Sequence, residues 1–338
     1  MSIFDRLFGT NEDWKYYFDA AVAHREAHRY AEAEQTFLKA LKQAYDIGRD
    51  SAEAIDTMIN LGGLYEMQGR LDQAEGFYRQ ALHLLERKFG PQHLNLAPVL
   101  NLLGGVYHRQ KRLDEALACV QRGLAIRSLL LKLDHADVVA STLKLAEVLA
   151  DLNRRDEAIE CCERALNAAI SSFGPRHPNV ATRLIDLGSL LDRFGDPAAA
   201  RRCFADALDI RLETVGEQHR SSTDAMLRLA ACCLKDGDAP QAEALARRAL
   251  AAREHLQGPD HPDVSETLLL LGEALSAQGR LDEADQILDR ALMIIEMRLG
   301  AGHPRMAPIL VALAGIKQAR GDNEGAQTML DRAARIAG

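Results

Sequence analysis

Apolar positions recur along this chain with the spacing of amphipathic helices, and the whole pattern then repeats. Aligning "RLDQAEGFYRQAL" (70–82), "RLDEALACVQRGL" (112–124), "RRDEAIECCERAL" (154–166) and "RLDEADQILDRAL" (280–292) exposes the period. Ala74, Ala116, Ala158, Ala200, Ala242, Ala284 and Ala326 follow one another at steps of 42 residues, and Ala33 extends the column upstream with a step of 41. Seven residues further on stands a second small column: Ala40, Ala81, Gly123, Ala165, Ala207, Ala249, Ala291 and Ala333. Twelve residues before the first is a third: Ala21, Gly62, Gly104, Ala146, Gly188, Ala230, Gly272 and Ala314. Small residues at three fixed offsets are what closely packed helix pairs require, because a large side chain there would push the helices apart. The leucines ahead of the third column, at 61, 103, 145, 187, 229, 271 and 313, read as core. Each unit is therefore predicted as two helices. The turn between them falls at Gly69, Gly195, Gly237, Gly279 and Gly321, where positive φ is expected. Lys111 and Asn153 hold that place in two units, so glycine there is a preference.

A second column carries potential chemistry. His93, His135, His177, His219, His261 and His303 also step by 42. Equivalent points on successive helix pairs lie on the order of 8–10 Å apart per helix contact. Zinc needs its ligands about 2 Å away, so these rings cannot share a metal. The histidines fall in the linker before a helix, often followed by a proline (178, 262, 304) that stops the preceding one. Their rings are expected to bond a neighbouring backbone group. The residues two further on, Asn95, Asp137, Asn179, Ser221 and Asp263, are expected as N-caps, with Asp263 and Glu266 forming a capping box. In the first unit Ser51 is the candidate cap.

Composition narrows the function. Hydrophobic residues make up 47% and aromatics 5% of 338 residues, a mixture that helices use and sheets avoid. The net charge is -8 with bases and acids interspersed, which argues against nucleic acid as a partner. No apolar run approaches the roughly 20 residues of a membrane span, and "MSIFDRLFGT" has no signal-peptide pattern. A cytoplasmic location is expected, and six cysteines without a spacing framework fit a reducing compartment.

Catalytic signals are absent. "HREAH" puts His24 and His28 four apart on one predicted helical face, half of a zinc site with nothing placed to complete it. Cys119, Cys161 and Cys203 share one column and so stand too far apart for a disulfide. They read as small buried side chains. There is no phosphate loop, nucleophile elbow or dinucleotide fingerprint, and no cofactor is expected.

The small columns, with Leu before the third and Tyr65 or Tyr107 three residues after it, resemble the tetratricopeptide repeat. The 42-residue form with its G-P-x-H-P linker is similar to the repeats of kinesin light chains and their prokaryotic relatives. The resemblance implies an all-α fold, a right-handed α-solenoid superhelix of about eight helix pairs, whose first helices line a concave groove. It places there Asn60, Glu66 and Met67 from the second repeat, then Asn101, His108 and Arg109, then Lys144, Glu147 and Asp151. From the fifth and sixth repeats come Asp186, Ser189, Asp192, Arg193, Asp224, Arg228 and Lys235. Kinesin-light-chain-like repeats use an Asn before that Leu to hold peptide backbone. Asn60 matches it, but Leu102, Lys144, Asp186, Arg228, Leu270 and Ala312 do not, which argues against kinesin-type cargo recognition. No groove helix carries the Lys and Asn pair that chaperone-binding relatives use for acidic C-termini.

The expected organisation is a short amphipathic segment, 1–13, ahead of one solenoid domain of eight repeats, 14–338. Ile3, Phe4, Leu7 and Phe8 make an apolar face at the start, expected to cap the first repeat, with contact to another subunit as the alternative. Ala326, Met329, Leu330, Ala333 and Ile336 make an apolar stripe at the end, which points to self-association. The function expected is a non-catalytic scaffold that binds a peptide or helix of another protein in its groove. The alternative is a regulatory sensor, in which a small ligand or signalling peptide alters the superhelix.

Overall fold

The computed structural model describes residues 11–337 and contains, among them, sixteen α-helices in consecutive pairs and no strand. They are α1 (Asn11–Glu26) with α2 (Tyr30–Ile47), α3 (Ala52–Met67) with α4 (Leu71–Phe89), α5 (Leu96–Arg109) with α6 (Leu113–Leu130), and α7 (Ala136–Asp151) with α8 (Arg155–Phe173). Then come α9 (Pro178–Arg193) with α10 (Pro197–Thr214), α11 (Arg220–Lys235) with α12 (Ala239–Gln257), α13 (Pro262–Ala277) with α14 (Leu281–Leu299), and α15 (Met306–Ala319) with α16 (Asn323–Ala337). The fold is an α-solenoid. It divides into two compact units, one ending at Ala168 and the next beginning at Ala169, so that α8 spans the division. None of the described helices is long and apolar enough to cross a membrane.

The small columns are the seams of the pairs. Ala33, Ala74, Ala116, Ala158, Ala200, Ala242 and Ala284 have no exposed surface, and the predicted core leucines are all buried. A Cβ added to Gly62 would stand 2.5 Å from Tyr78 Cε1, one on Gly104 2.7 Å from Val120 Cγ2, and one on Gly272 2.6 Å from Leu288 Cγ. Real Cβ atoms do not approach that closely. Where Ala146 and Ala230 replace glycine, the residue sixteen further on is the small Cys162 or Ala246, whereas Ala21 and Ala314 are followed at that distance by Phe37 and Leu330.

Each first helix ends in the same turn. Arg70 N–H donates to the Tyr65 carbonyl at 2.9 Å and Gly69 N–H to that of Glu66 at 3.0 Å, with Gly69 at φ +73°. That is the Schellman closure of a helix end, and the left-handed residue it needs is cheapest as glycine. Lys111 (φ +63°), Asn153 (φ +57°) and His28 (φ +57°) take the place elsewhere. His28 therefore lies beyond α1, and the expectation that His24 and His28 share one helical face is corrected: the turn separates them, and His28 Nδ1 bonds the Tyr30 hydroxyl at 2.8 Å.

The linker histidines are helix caps. His135, His177, His219 and His261 are themselves the N-caps of α7, α9, α11 and α13, with Nδ1 accepting from the backbone N–H two residues on at 3.1–3.2 Å. His93 and His303 make the same bond to Asn95 and Arg305, each at 3.2 Å. The ring nitrogen thus does the work expected of the residue two places later, because the rigid imidazole reaches the orphan amide first. The expected capping box at Asp263 is not formed. Its carboxylate instead accepts from Arg305 at 3.2 Å and Gln257 at 3.3 Å. Ser51 caps α3 as expected, accepting from Ala54 N–H at 3.1 Å.

Ion pairs stitch neighbouring pairs together. Glu34 accepts from Arg70 at 2.6 Å and from the Tyr65 hydroxyl at 2.9 Å, and Glu75 meets Arg112 at 2.6 Å and Tyr107 at 3.2 Å. Glu243 meets Arg280 at 2.7 Å, and at the pair before it the polarity is reversed, with Arg201 donating to Asp238 at 2.7 Å. The Arg70 guanidinium holds the Glu34 carboxyl below its ordinary 4.5. At Glu75 and Glu243 burial works to raise the carboxyl, but Arg112, Arg280 and their amide neighbours outweigh it and the net direction is also down.

The amphipathic segment expected at the N-terminus, with Ile3, Phe4, Leu7 and Phe8, lies outside the described residues. At the other end, Ala326 and Ala333 are 5% exposed and Met329 and Ile336 pack against the core of the second unit. Of the expected apolar stripe, Leu330 is the exposed member at 39%.

Candidate functional site

The residues expected in a groove all stand on first helices, α3, α5, α7, α9 and α11, except that Asn101 turns inward. Its amide donates to Ser141 Oγ on α7 at 2.9 Å, and its buried Oδ1 has no hydrogen-bond partner. A Cβ on Gly123 would sit 2.9 Å from that oxygen, which is why this member of the second small column is glycine. Asn101 occupies the register held by Ile59, Leu143, Ile185, Leu227, Leu269 and Val311, of which Leu227 and Leu269 line a trough between α11 and α13 and Val311 is 51% exposed. Half-buried Asn101 thus has its amide engaged between α5 and α7.

In the first unit four of the remaining expected residues pair across neighbouring repeats, Arg109 with Glu66 and His108 with Asp151, and two pair along one helix, Lys144 with Glu147. Arg109 donates to the Glu66 carbonyl at 2.9 Å and approaches its carboxylate at 3.4 Å. His108 Nε2 lies 2.8 Å from Asp151, and Lys144 donates to Glu147 at 2.8 Å. Asn60, the match to a peptide-holding asparagine, accepts from Arg25 at 2.9 Å and donates to the Asp56 carbonyl at 2.9 Å. Met67 is 55% exposed.

In the second unit Lys235 donates to Asp192 at 2.6 Å, Arg228 to Ser189 Oγ at 3.1 Å, and Arg183 approaches Asp186 at 3.2 Å. The Arg193 guanidinium lies 6.0 Å from the Phe194 ring centroid. Asp224 accepts from Arg253 at 3.2 Å. First helices of successive pairs also touch directly, α11 with α13 and α13 with α15.

Sequence reasoning passed over one column. Arg127, Arg211 and Arg253 stand at equivalent points of α6, α10 and α12 and are 7%, 9% and 9% exposed. Each donates to the carbonyl ten residues on, in the first turn of the next helix: Arg127 to Asp137 at 3.1 Å, Arg211 to Ser221, and Arg253 to Asp263 at 2.7 Å. The signal available was an arginine on an otherwise apolar helix face at a step of 84 and then 42 residues.

Between α11 and α13 opens a trough of about 570 Å³. Leu227, Ala231, Leu269 and Leu270 supply apolar surface. Arg253 is neutralised within it by Asp224 and by Glu266 at 3.1 Å, and Arg305 by Asp263 at 3.2 Å. Arg220, Arg228 and Glu273 also line it, and none of them makes an ion pair. Glu273 is open to solvent, yet the surrounding walls remove enough water to push its carboxyl above its ordinary 4.5. Two smaller hollows, of about 320 and 370 Å³, are lined by residues of α4, α5 and α6 and of α12, α13 and α14. An open apolar floor with a few unpaired charges is the usual make-up of a binding site for a flexible ligand.

Among the described residues no group of three or more His, Cys, Asp or Glu side chains stands where it could hold a metal. Burial pushes the Cys119, Cys161 and Cys203 thiols above their ordinary 9.0, and the Cys232 thiol up to about 11. Such thiols stay protonated and are poor nucleophiles.

A sequence model described as tetratricopeptide repeat matches residues 14–87, 53–128, 138–213, 222–296 and 271–337, and a second so described matches 185–257. No curated protein sequence matches the chain. Among solved structures the chain is similar to BtubC (BKLC) from P. vanneervenii, at 22% identity and a TM-score of 0.58 over 69% of this chain and 92% of that one. It is similar to a putative kinesin light chain with nearly identical repeats from Podospora anserina, at 22% identity and a TM-score of 0.53 over 59% of this chain and 93% of that one. The apo form of the quorum sensor NprR from B. thuringiensis aligns at 14% identity and a TM-score of 0.68 over 96% of this chain and 87% of that one. At these identities the likeness concerns the fold.

Proposed function

The chain belongs to the tetratricopeptide repeat family, and from that premise we propose that it is a scaffold binding an extended peptide or a helix of a partner protein along its first helices. Tetratricopeptide repeats are in general non-catalytic interaction scaffolds. The observation that carries the reading for this chain is the trough between α11 and α13, an apolar floor walled by charges that are only partly neutralised. A preformed site of this kind collects several weak side-chain contacts without reordering itself, which suits linear motifs.

The test is selection from a library of linear peptides on the intact protein and on a Leu270→Asp/Arg305→Glu variant of equal helix content. Enriched sequences should bind the variant at least about tenfold more weakly, the loss of one or two good contacts. Failure to enrich any sequence, or equal binding to both proteins, would remove the trough from function. A small ligand that changed compactness in small-angle scattering, with no peptide enriched, would favour the sensor alternative.

A further inference from the structure

The arginine column contains its own control. Around Arg253 the protein has built a complete acceptor set: the Asp263 carbonyl at 2.7 Å, Thr267 Oγ1 at 3.0 Å, Glu266 at 3.1 Å and Asp224 at 3.2 Å. One repeat earlier, Arg211 retains only the first of these, its bond to the Ser221 carbonyl. The equivalent of Thr267 is Ala225, and the equivalent of Asp224 is Thr182. Asp224 itself stands where Glu266 stands for Arg253, but its carboxylate is engaged by Arg253 instead. A guanidinium that is 9% exposed is thus left with one acceptor for five N–H donors and no ion pair. Its removal from water works against the charge, pushing Arg211 below the ordinary guanidinium range even with Asp224 and Asp186 in its field. Leaving such a cation unpaired is costly unless something else completes it.

We propose that Arg211, with Arg228 beside it on α11, forms a subsite for a carboxylate of the bound peptide. This deepens the peptide reading and rests on it. The neighbouring repeat shows that the approach is chemically suitable: Glu266 and Asp224, 72% and 43% exposed, both reach the 10%-exposed Arg253 side chain from the solvent side. A ligand carboxylate at Arg211 takes the part those two residues play there. Arg228 adds a cation whose single bond is to the neutral Ser189 hydroxyl, and its field lies within reach of Arg211. An apolar neighbour in the peptide then falls toward Leu227 and Leu269.

Two variants test this. Thr182→Asp gives Arg211 the carboxylate that Asp224 gives Arg253, and should raise the thermal midpoint while closing the subsite. Arg211→Met removes the charge and keeps most of the volume. The probes are Ac-Leu-Glu-Leu-NH2, Ac-Leu-Gln-Leu-NH2 and Ac-Leu-Gln-Leu-OH, titrated at low salt by NMR. At least one carboxylate peptide should bind the wild type about tenfold tighter than the neutral one, the worth of a charge-assisted hydrogen bond. The glutamyl and free-acid probes distinguish a side chain from a C-terminus as its source. Both variants should lose the discrimination. Equal binding of all three probes by the wild type, or a preference retained by either variant, would overturn the subsite alone, as would a thermal midpoint unchanged or lowered in Thr182→Asp. Binding of none would sink the peptide reading and the subsite with it.

Discussion

The seam inside each helix pair and the wall formed by the first helices are built from the same 42-residue period, but they tolerate change in opposite ways. At the seam, glycine stands where a neighbouring side chain closes on it: Gly62, Gly104, Gly188 and Gly272 face Tyr78, Val120, Phe204 and Leu288, all within 3 Å of where a Cβ would stand. Where Ala230 replaces glycine, Ala246 takes the place of the large residue. On the wall, one position reads Asn60, Leu102, Lys144, Asp186, Arg228, Leu270 and Ala312 in successive repeats. Backbones in contact admit only complementary substitutions, whereas side chains facing water admit nearly any. What recurs eight times therefore reports the fold, and what changes at each repeat is free to report a partner.

The strongest way to break this contrast is at the seam. Gly272→Ala should cost about 1–3 kcal/mol, the usual penalty of overpacking, because its Cβ meets Leu288 Cγ at 2.6 Å. Leu288→Ala alone should cost about 2–5 kcal/mol as a cavity. The double variant, which copies the Ala230 and Ala246 pair, should lose clearly less than the sum in urea denaturation. Strict additivity would mean that the two residues do not share the space.

A smaller effect is expected from the stitches between pairs. The Glu34, Glu75 and Glu243 carboxyls are held below their ordinary 4.5 in the folded chain. A carboxyl with a depressed folded pKa contributes stability that is present above its unfolded value and lost as pH falls through the folded one. Urea midpoints should accordingly drop on acidification below about pH 4.5. In Glu243→Gln the midpoint should start lower at neutral pH and fall less steeply. An unchanged acid slope would show that the Arg280 bond at 2.7 Å contributes nothing net.

These differences explain what could be read in advance. The alanine and glycine columns, the core leucines and the positive-φ turns were legible because each is enforced by contact with a backbone and repeated often enough to stand out. The histidine column was legible as structural, and its rings bond a neighbouring backbone amide as expected; the cap itself was assigned two residues too late. Spacing located the cap, and only the ring's orientation shows that Nδ1 of His261 takes the Asp263 amide. The packing of Asn101 Oδ1 against Gly123 was not legible, because that glycine lies on another helix. Arg211 and Arg253 are the same letter in the same column. Their difference resides in Thr182, Ala225 and a single shared Asp224, contacts that no local pattern encodes.

The smallest effect on stability should come from the wall itself. Lys235 and Asp192 are bonded at 2.6 Å, but they are 54% and 27% exposed, and such pairs contribute about 0–1 kcal/mol. Exchanging them, Asp192→Lys with Lys235→Asp, keeps the pair and should leave the urea midpoint within about 0.5 kcal/mol of wild type. The same exchange reverses the charge that each first helix presents at that point, so peptide selection on the swapped protein should return sequences with altered charge there. A large loss of stability would place Asp192 and Lys235 with the seam, as parts of the fold. Unchanged stability with unchanged selection would confine binding to the trough between α11 and α13, where apolar floor and unpaired charge occur together.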